Sequence, residues 1–160
     1  MSMHRPVTSA ALAILILSAC QTPGAVMPDS LPQQDTPMSN PVFHFEIPVT
    51  DMDRAVAFYQ TVFGVALRRD TVDGYEMAFF PRQDDRPGAS GALAKGDVYK
   101  PTQDGVILYF DVPDIDAVFA RSVAAGSRVL YEKTDLGAAG FVGEIEDSEG
   151  NRIALTQARE

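Results

Sequence analysis

The chain has 160 residues and a formal net charge of −9, and apolar residue types make up 46% of it. This length is typical of a single domain. A chain this acidic is poorly suited to nucleic acid or anionic lipid headgroups, because both are polyanions. We therefore expect no nucleic-acid partner.

The first segment, MSMHRPVTSAALAILILSAC, places one arginine ahead of a short apolar run. The run is too short to cross a bilayer as a helix, and it predicts a secretory signal peptide over residues 1–19. Its end, Leu17-Ser18-Ala19-Cys20, resembles the lipobox of bacterial lipoproteins, in which the cysteine is lipidated after cleavage. Cys20 is the only cysteine, and an unpaired thiol in an exported protein would otherwise be a reactive liability.

The lipobox resemblance implies an exported protein that is lipid-anchored to the bacterial membrane through Cys20. Gln21 is not the aspartate associated with inner-membrane retention, which favours the periplasm-facing outer membrane in a Gram-negative source. Four prolines and few large apolar residues follow, so residues 20–40 are predicted to be the lipidated cysteine and a semi-extended tether. The globular domain is then expected over residues 41–158.

The domain opens with a strand-like stretch in which two sets of side chains alternate. His44, Glu46 and Pro48 alternate with apolar residues, which predicts a strand with one apolar and one polar face. Thr50 to Asp53 then outlines a capping box, and an amphipathic helical pattern runs on to a glycine stop at Gly64. Any chemistry is expected on the polar face of this strand.

The opening unit is repeated in the second half of the chain. Val49-Thr50-Asp51-Met52-Asp53 is echoed by Val112-Pro113-Asp114-Ile115-Asp116, and a second helix is predicted over residues 114–125. Three strand-like stretches follow each helix, at 65–72, 75–81 and 90–94 and at 128–131, 141–146 and 152–157. The sequence therefore predicts two β-α-β-β-β halves, over about 42–96 and 105–157.

The two ends of this region, VFHFEIPVTDMDRAVAFYQTVFGV and FVGEIEDSEGNRIALTQ, resemble the hallmark segments of the vicinal oxygen chelate superfamily. That superfamily includes glyoxalase I, bleomycin-resistance proteins, fosfomycin-resistance enzymes and extradiol dioxygenases. The resemblance covers residues 42–157 and implies an α+β fold, in which two βαβββ modules form a curled mixed sheet around a cavity. Proteins of this kind often dimerise, which leaves both a monomer and a homodimer open.

In metal-dependent members of the superfamily, four strand positions carry the His or Glu ligands of a divalent ion. The first position falls on His44, and the internal repeat places its counterpart at Ile107. The other two fall on Ala92 and Ala154. Three of the four positions thus lack a donor atom, whereas a catalytic zinc site uses at least three protein ligands. We therefore expect no metal cofactor at these positions, and a shifted divalent-metal site at His44 and Glu46 is the alternative.

Without a metal, His44 and Glu46 become a candidate hydrogen-bonding or acid–base pair. Equally, His44 can be an inherited residue that is satisfied by backbone or water. The repeat and the strand alternation place four further candidate ligand-binding residues on the same cavity: Tyr109, Asp111, Arg152 and Thr156. An ion pair between Asp111 and Arg152 would be structural.

Three functions are compatible with these observations. The first is a membrane-anchored glyoxalase-like lipoprotein that binds a small organic molecule without the usual metal. The second is a metal-dependent lyase, isomerase or dioxygenase with its site shifted to His44 and Glu46. The third is a non-catalytic sequestering protein of the bacterial envelope. Whether the protein is an enzyme is therefore left open by the sequence.

Overall fold

The structure is a computed structural model that describes residues 42–82 and 88–159. The predicted signal peptide, the predicted lipidation site Cys20 and the predicted tether lie outside the described residues. The described part falls within one compact unit, Met38–Glu160. Within these two ranges, no helix is long and apolar enough to cross a membrane.

Each half folds in the β-α-β-β-β order that the repeat predicts. The first half contains β1 (His44–Val49), α1 (Met52–Phe63), β2 (Arg68–Val72), β3 (Tyr75–Phe79) and β4 (Ser90–Lys95). The second contains β5 (Leu108–Asp111), α2 (Ile115–Ala124), β6 (Val129–Asp135), β7 (Phe141–Glu146) and β8 (Arg152–Gln157). A 3-10 turn, Gly137–Ala139, joins β6 to β7.

Two of the predicted strands differ from the structure by three or more residues at one end, and two others, 75–81 and 90–94, end at Phe79 and Lys95. The stretch 65–72 becomes a strand only from Arg68. Leu67 lies in the preceding loop, and it is apolar because it packs against the core. The stretch 128–131 continues as β6 to Asp135. Its pairing with β7 is irregular at two places, and such irregularities break the alternation from which a strand is predicted.

The strands form two four-stranded mixed sheets with the same internal order. The orders are β1-β4-β3-β2 and β5-β8-β7-β6. In each sheet the first and last strands of the half run parallel, and the other neighbours are antiparallel. This identical topology confirms the predicted α+β fold of two βαβββ modules.

The helices begin and end at residues that the sequence marks, with one correction. The predicted cap Thr50 is wrong by one residue, since Asp51 is the N-cap of α1 and accepts a hydrogen bond from the Arg54 backbone N–H. Asp114, its counterpart in the repeat, caps α2 in the same way. Gly64 ends α1 with a φ of 68°, in the left-handed region that glycine adopts at little cost.

One hydrophobic core serves both halves. The two helices contact each other, and both sheets pack their helix-facing side chains against them. Ser122 occupies a fully buried position in α2, while the neighbouring Val123 is exposed. The Ser122 hydroxyl donates to the Val118 carbonyl at 2.9 Å, so this buried polar group is satisfied within the helix. Aromatic rings from both halves meet at the centre: Phe45, Tyr59, Phe63, Phe80 and Phe110.

Candidate functional site

The polar face of β1 lies on the side of its sheet opposite the helices, which we call the helix-free face. Ile47 and Val49 are buried in the shared core, and Phe45 packs against it. Because side chains alternate along a strand, His44 and Glu46 point to the helix-free face. The sequence-based assignment of these two residues to one face is therefore compatible with the structure.

The helix-free face of the first sheet is largely apolar. Met77, Ala92 and Ala94 are buried there although no helix covers them. The rings of Tyr75 and Tyr99 pack against them and meet edge to face at 5.5 Å. Small alanine side chains leave room for these rings, and the result is an aromatic surface beside Glu46.

Two side chains of β1 form a polar centre on this surface. Nδ1 of His44 lies 2.7 Å from the Ser90 hydroxyl oxygen, and its Nε2 lies 4.0 Å from Oε1 of Glu46. The other carboxylate oxygen of Glu46 accepts a 2.7 Å hydrogen bond from the Tyr99 hydroxyl. This hydrogen bond, together with burial and the carboxylate charge, raises the pKa of Tyr99 to about 12. Tyr99 is therefore a donor that orients Glu46.

The second sheet contributes the other predicted residues, but an Asp111–Arg152 ion pair, which the sequence left open as a structural contact, does not form. Asp111 lies beside Thr156 in the parallel register of β5 and β8, four residues along the strand from Arg152. The Arg152 guanidinium instead approaches Glu144 at 3.8 Å. Its Nε atom is buried and makes no hydrogen bond within the described residues.

A cavity of about 410 Å³ lies where the two halves meet, and we call it the junction cavity. Glu46 from β1 and Arg152 from β8 both line it, and most of the remaining wall is apolar: Val42, Phe45, Ile47, Pro48, Val106, Leu108 and Ile153. Tyr109 lines a different cavity, also about 410 Å³, with several aromatic residues. His44, Asp111 and Thr156 line neither cavity. The predicted site residues thus converge only in part.

The residues present do not fit the four-ligand metal site of the superfamily. Ala92 lies beside Glu46 in the strand register, and Ala154 lies beside Tyr109, so both positions are equivalent in their halves and neither supplies a donor atom. In the described ranges, no three His, Cys, Asp or Glu side chains are grouped to hold a metal ion. Arg152 lines the junction cavity, and its guanidinium is always positively charged, so it repels a cation.

Sequence reasoning missed a buried carboxylate that joins the two halves. Glu149, in the β7–β8 turn, accepts hydrogen bonds from the Thr50 backbone and hydroxyl, the Asp51 backbone N–H and the Arg54 guanidinium, at 2.7–3.0 Å. Burial alone would raise the pKa of this carboxyl, but these hydrogen bonds outweigh burial and lower the pKa to about 2. The available signal was the Asp147-Ser148-Glu149-Gly150-Asn151 stretch, but its composition is typical of a turn and does not reveal a contact with a distant segment.

A second carboxylate in the same turn is also structural. Asp147 is 3% exposed and accepts hydrogen bonds from the Tyr59 hydroxyl at 2.8 Å and from the Asn151 side chain at 2.9 Å. Burial raises the pKa of Asp147, although the hydrogen bonds from Asn151 and Tyr59 oppose that change. Asn151 also donates to the Pro48 carbonyl of β1. The two hallmark segments of the sequence therefore hold each other in place.

Comparisons with known proteins agree with this architecture. Residues 42–155 match the family described as the Glyoxalase/Bleomycin resistance protein/Dioxygenase superfamily. A relative from Mycobacterium bovis, CFP32, whose name marks it as a provisional glyoxylase, is 32% identical over 102 residues. That match covers 61% of this chain and 36% of the relative, so the chain spans well under half of it.

Two solved structures show the same fold at low sequence identity. A variant of glyoxalase I from Zea mays superposes with a TM-score of 0.60 at 20% identity, covering 74% of this chain and 46% of that one. TnmS3, an antibiotic binding protein from Streptomyces sp. CB03234, superposes with a TM-score of 0.55 at 24% identity, covering 78% and 99%. Because the family model matches residues 42–155, more than half of the sequence, the chain belongs to the glyoxalase, bleomycin resistance protein and dioxygenase superfamily.

Proposed function

We propose that this domain binds a small organic molecule in the junction cavity, without the metal ion that is usual in the superfamily. The observation that carries the proposal is the position of Arg152, which lines an otherwise mostly apolar cavity and whose Nε, 3.8 Å from Oε2 of Glu144, makes no hydrogen bond within the described residues. A buried donor without an acceptor costs about 1–3 kcal/mol. A carbonyl or carboxylate oxygen of a bound molecule that accepts a hydrogen bond from the guanidinium would offset that cost. The apolar part of the molecule would cover the cavity walls.

The size and chemistry of the cavity support this proposal. Its volume of about 410 Å³ lies within the range that small-molecule sites occupy, and such sites combine apolar walls with a few polar groups that set orientation. Glu46 and Arg152 supply one acceptor and one donor, contributed by different halves. TnmS3, which has the same fold, is an antibiotic binding protein, so ligand binding has a precedent on this fold.

The test is a thermal-unfolding screen of the full chain against small aromatic ketones and carboxylates. A ligand that binds only the folded state raises the unfolding temperature. We expect Arg152→Gln to weaken binding of any such compound by about tenfold or more, the effect of about 1.4 kcal/mol. Arg128→Gln is the matched control, because Arg128 pairs with Glu146 and lies outside the cavity wall. Equal binding by Arg152→Gln and wild type would refute the assignment.

One observation favours keeping the metal-dependent alternative in the same screen. Nε2 of His44 and Oε1 of Glu46 approach to 4.0 Å, closer than the roughly 6–7 Å that separates alternate residues along a strand. A lyase, isomerase or dioxygenase would need further ligands, since two side chains do not make a tight site. One tightly bound Ni, Zn, Mn or Fe ion per chain, lost in His44→Ala, would replace our proposal with this one.

We also propose that the domain is anchored to the bacterial membrane through a lipidated Cys20. The support is the lipobox-like end of the apolar leader together with the absence of any other cysteine in the sequence. Metabolic labelling with a radioactive fatty acid should label the wild-type protein in the membrane fraction. Cys20→Ser should lose the label and leave that fraction, and a labelled Cys20→Ser protein would contradict the proposal. Anchoring of this kind suits ligand capture at the envelope, whether or not turnover follows.

A further inference from the structure

The hydrogen bonds around His44 and Glu46 indicate which ligand group this polar centre can bind. The Ser90 hydroxyl oxygen lies 2.7 Å from His44 Nδ1 and 3.1 Å from the Phe43 carbonyl oxygen. A hydroxyl has a single proton to donate. If Nδ1 carries the imidazole proton, it donates to Ser90, and Ser90 donates to Phe43, so both contacts are hydrogen bonds. If Nε2 carries the proton, only one of the two contacts is a hydrogen bond.

Of the two neutral tautomers, the number of hydrogen bonds therefore favours the one with its proton on Nδ1. That tautomer leaves Nε2 as an acceptor on the helix-free face. The acceptor has a close neighbour in Oε1 of Glu46, at 4.0 Å. Since Tyr99 already donates to the other oxygen of Glu46, Oε1 is the carboxylate atom left for a ligand.

Two acceptors at this separation define a position for a third atom. They are too far apart to share a hydrogen bond with each other, yet a donor atom placed about 2.8 Å from each would contact both. The donor needs more than one hydrogen, and a primary ammonium group has three. A carboxylate acceptor also favours a cationic donor over a neutral one.

The surroundings suit a cation in this position. The Phe79 ring lies 6.4 Å from the His44 ring, and aromatic faces attract positive charge. The nearby cation, Arg68, lies over Phe79 at 4.9 Å and is balanced by Asp70 at 2.7 Å. Because Asp70 neutralises Arg68, Arg68 does not compete with a ligand for the negative charge of Glu46.

We propose that His44 Nε2 and Glu46 Oε1 together bind the primary ammonium group of an amine-bearing ligand, with Ser90 as the residue that positions the imidazole. This inference rests on the proposed function, because the apolar part of the same ligand would enter the junction cavity that Glu46 also lines. The ligand class is then a small apolar amine that carries a hydrogen-bond acceptor for Arg152.

The first test compares two probes that share an aromatic ketone as the acceptor for Arg152: 4-(2-aminoethyl)acetophenone and 4-(2-hydroxyethyl)acetophenone. Titration calorimetry on the full chain should show the amine binding at least about tenfold more tightly than the alcohol. Glu46→Gln and His44→Gln should each remove that preference. The matched control is Glu132→Gln, an exposed carboxylate on β6, which should keep it.

The outcomes separate this inference from the function on which it rests. If aromatic ketones or carboxylates bind through Arg152 but the amine gains nothing over the alcohol, the ammonium site is refuted and the proposed function stands. If a divalent ion binds tightly at His44 instead, both are refuted.

The second test reads the tautomer directly and needs no ligand. His44 is one of only two histidines in the sequence, so its ring ¹⁵N resonances are readily assigned by comparison with His44→Gln. We expect the neutral ring to carry its proton on Nδ1. Ser90→Ala should shift the proton towards Nε2 and weaken amine binding several-fold, and Ser90→Thr, which keeps the hydroxyl, should restore both. A wild-type ring protonated on Nε2 would overturn the proposal.

Discussion

Replacing Glu149 by glutamine tests how the two halves are held together. The carboxylate has no exposed side-chain surface and accepts hydrogen bonds from residues at the start of α1 and just before it, including Arg54 and Thr50. Glutamine keeps the shape and removes the charge. We expect Glu149→Gln to lower the free energy of unfolding near pH 7, because an uncharged amide is a weaker acceptor for Arg54 and for the positive end of the helix.

The magnitude follows from the pKa of the carboxyl group. A pKa lowered from 4.5 to about 2 corresponds to about 3 kcal/mol of stability at neutral pH. We expect about 2 kcal/mol in practice, since Arg54 is half exposed and solvent screens its charge. The pKa of Glu149 is lower in the folded state than in the unfolded state. The stabilisation is therefore present above the unfolded-state pKa, and it is lost as the pH falls from about 5 towards 2.

The assay is urea-induced unfolding of wild type and Glu149→Gln near pH 7 and near pH 3. The difference between the two proteins should shrink by more than half at the lower pH, because the Glu149 carboxyl of the unfolded wild-type chain is protonated there, whereas that of the folded chain is still mostly ionised. The exposed Glu132→Gln serves as the control, and it should change stability by less than about 0.5 kcal/mol at either pH. A stability difference that is the same at both pH values would refute an electrostatic role for Glu149.

Three further substitutions test other parts of the fold by the same unfolding measurement. Tyr59→Phe removes the hydroxyl that donates to the buried Asp147 and should cost about 1–3 kcal/mol; no loss would mean that Asp147 is satisfied without it. Gly91→Ala would place a methyl group in the ring of Phe45 and should cost about 1–3 kcal/mol, and a neutral result would show that the ring moves freely. Asp114→Ala removes the N-cap of α2 and should cost about 1 kcal/mol, whereas a change within error would argue against that cap.

The order of elements could be predicted from the sequence because it depends on local patterns. Alternation along β1, the helical spacing of the apolar residues and the glycine at Gly64 are properties of neighbouring residues, and they gave both helices within one or two residues. The internal repeat gave the topology, since two halves with the same pattern fold with the same strand order. Strand bounds were less accurate where Leu67 was apolar for packing and where the pairing of β6 was irregular.

The sequence by itself determined the fold, the shared face of His44 and Glu46 and the absence of donor atoms at Ala92 and Ala154. Only the tertiary structure decided which residues share a cavity, because Glu46 and Arg152 meet through the packing of two halves that are distant in sequence. It also showed that Asp111 lies apart from Arg152 and that Glu149 accepts hydrogen bonds from the start of the first half. The physical reason is that hydrogen bonds and burial between distant segments follow from register and packing, which no local pattern encodes.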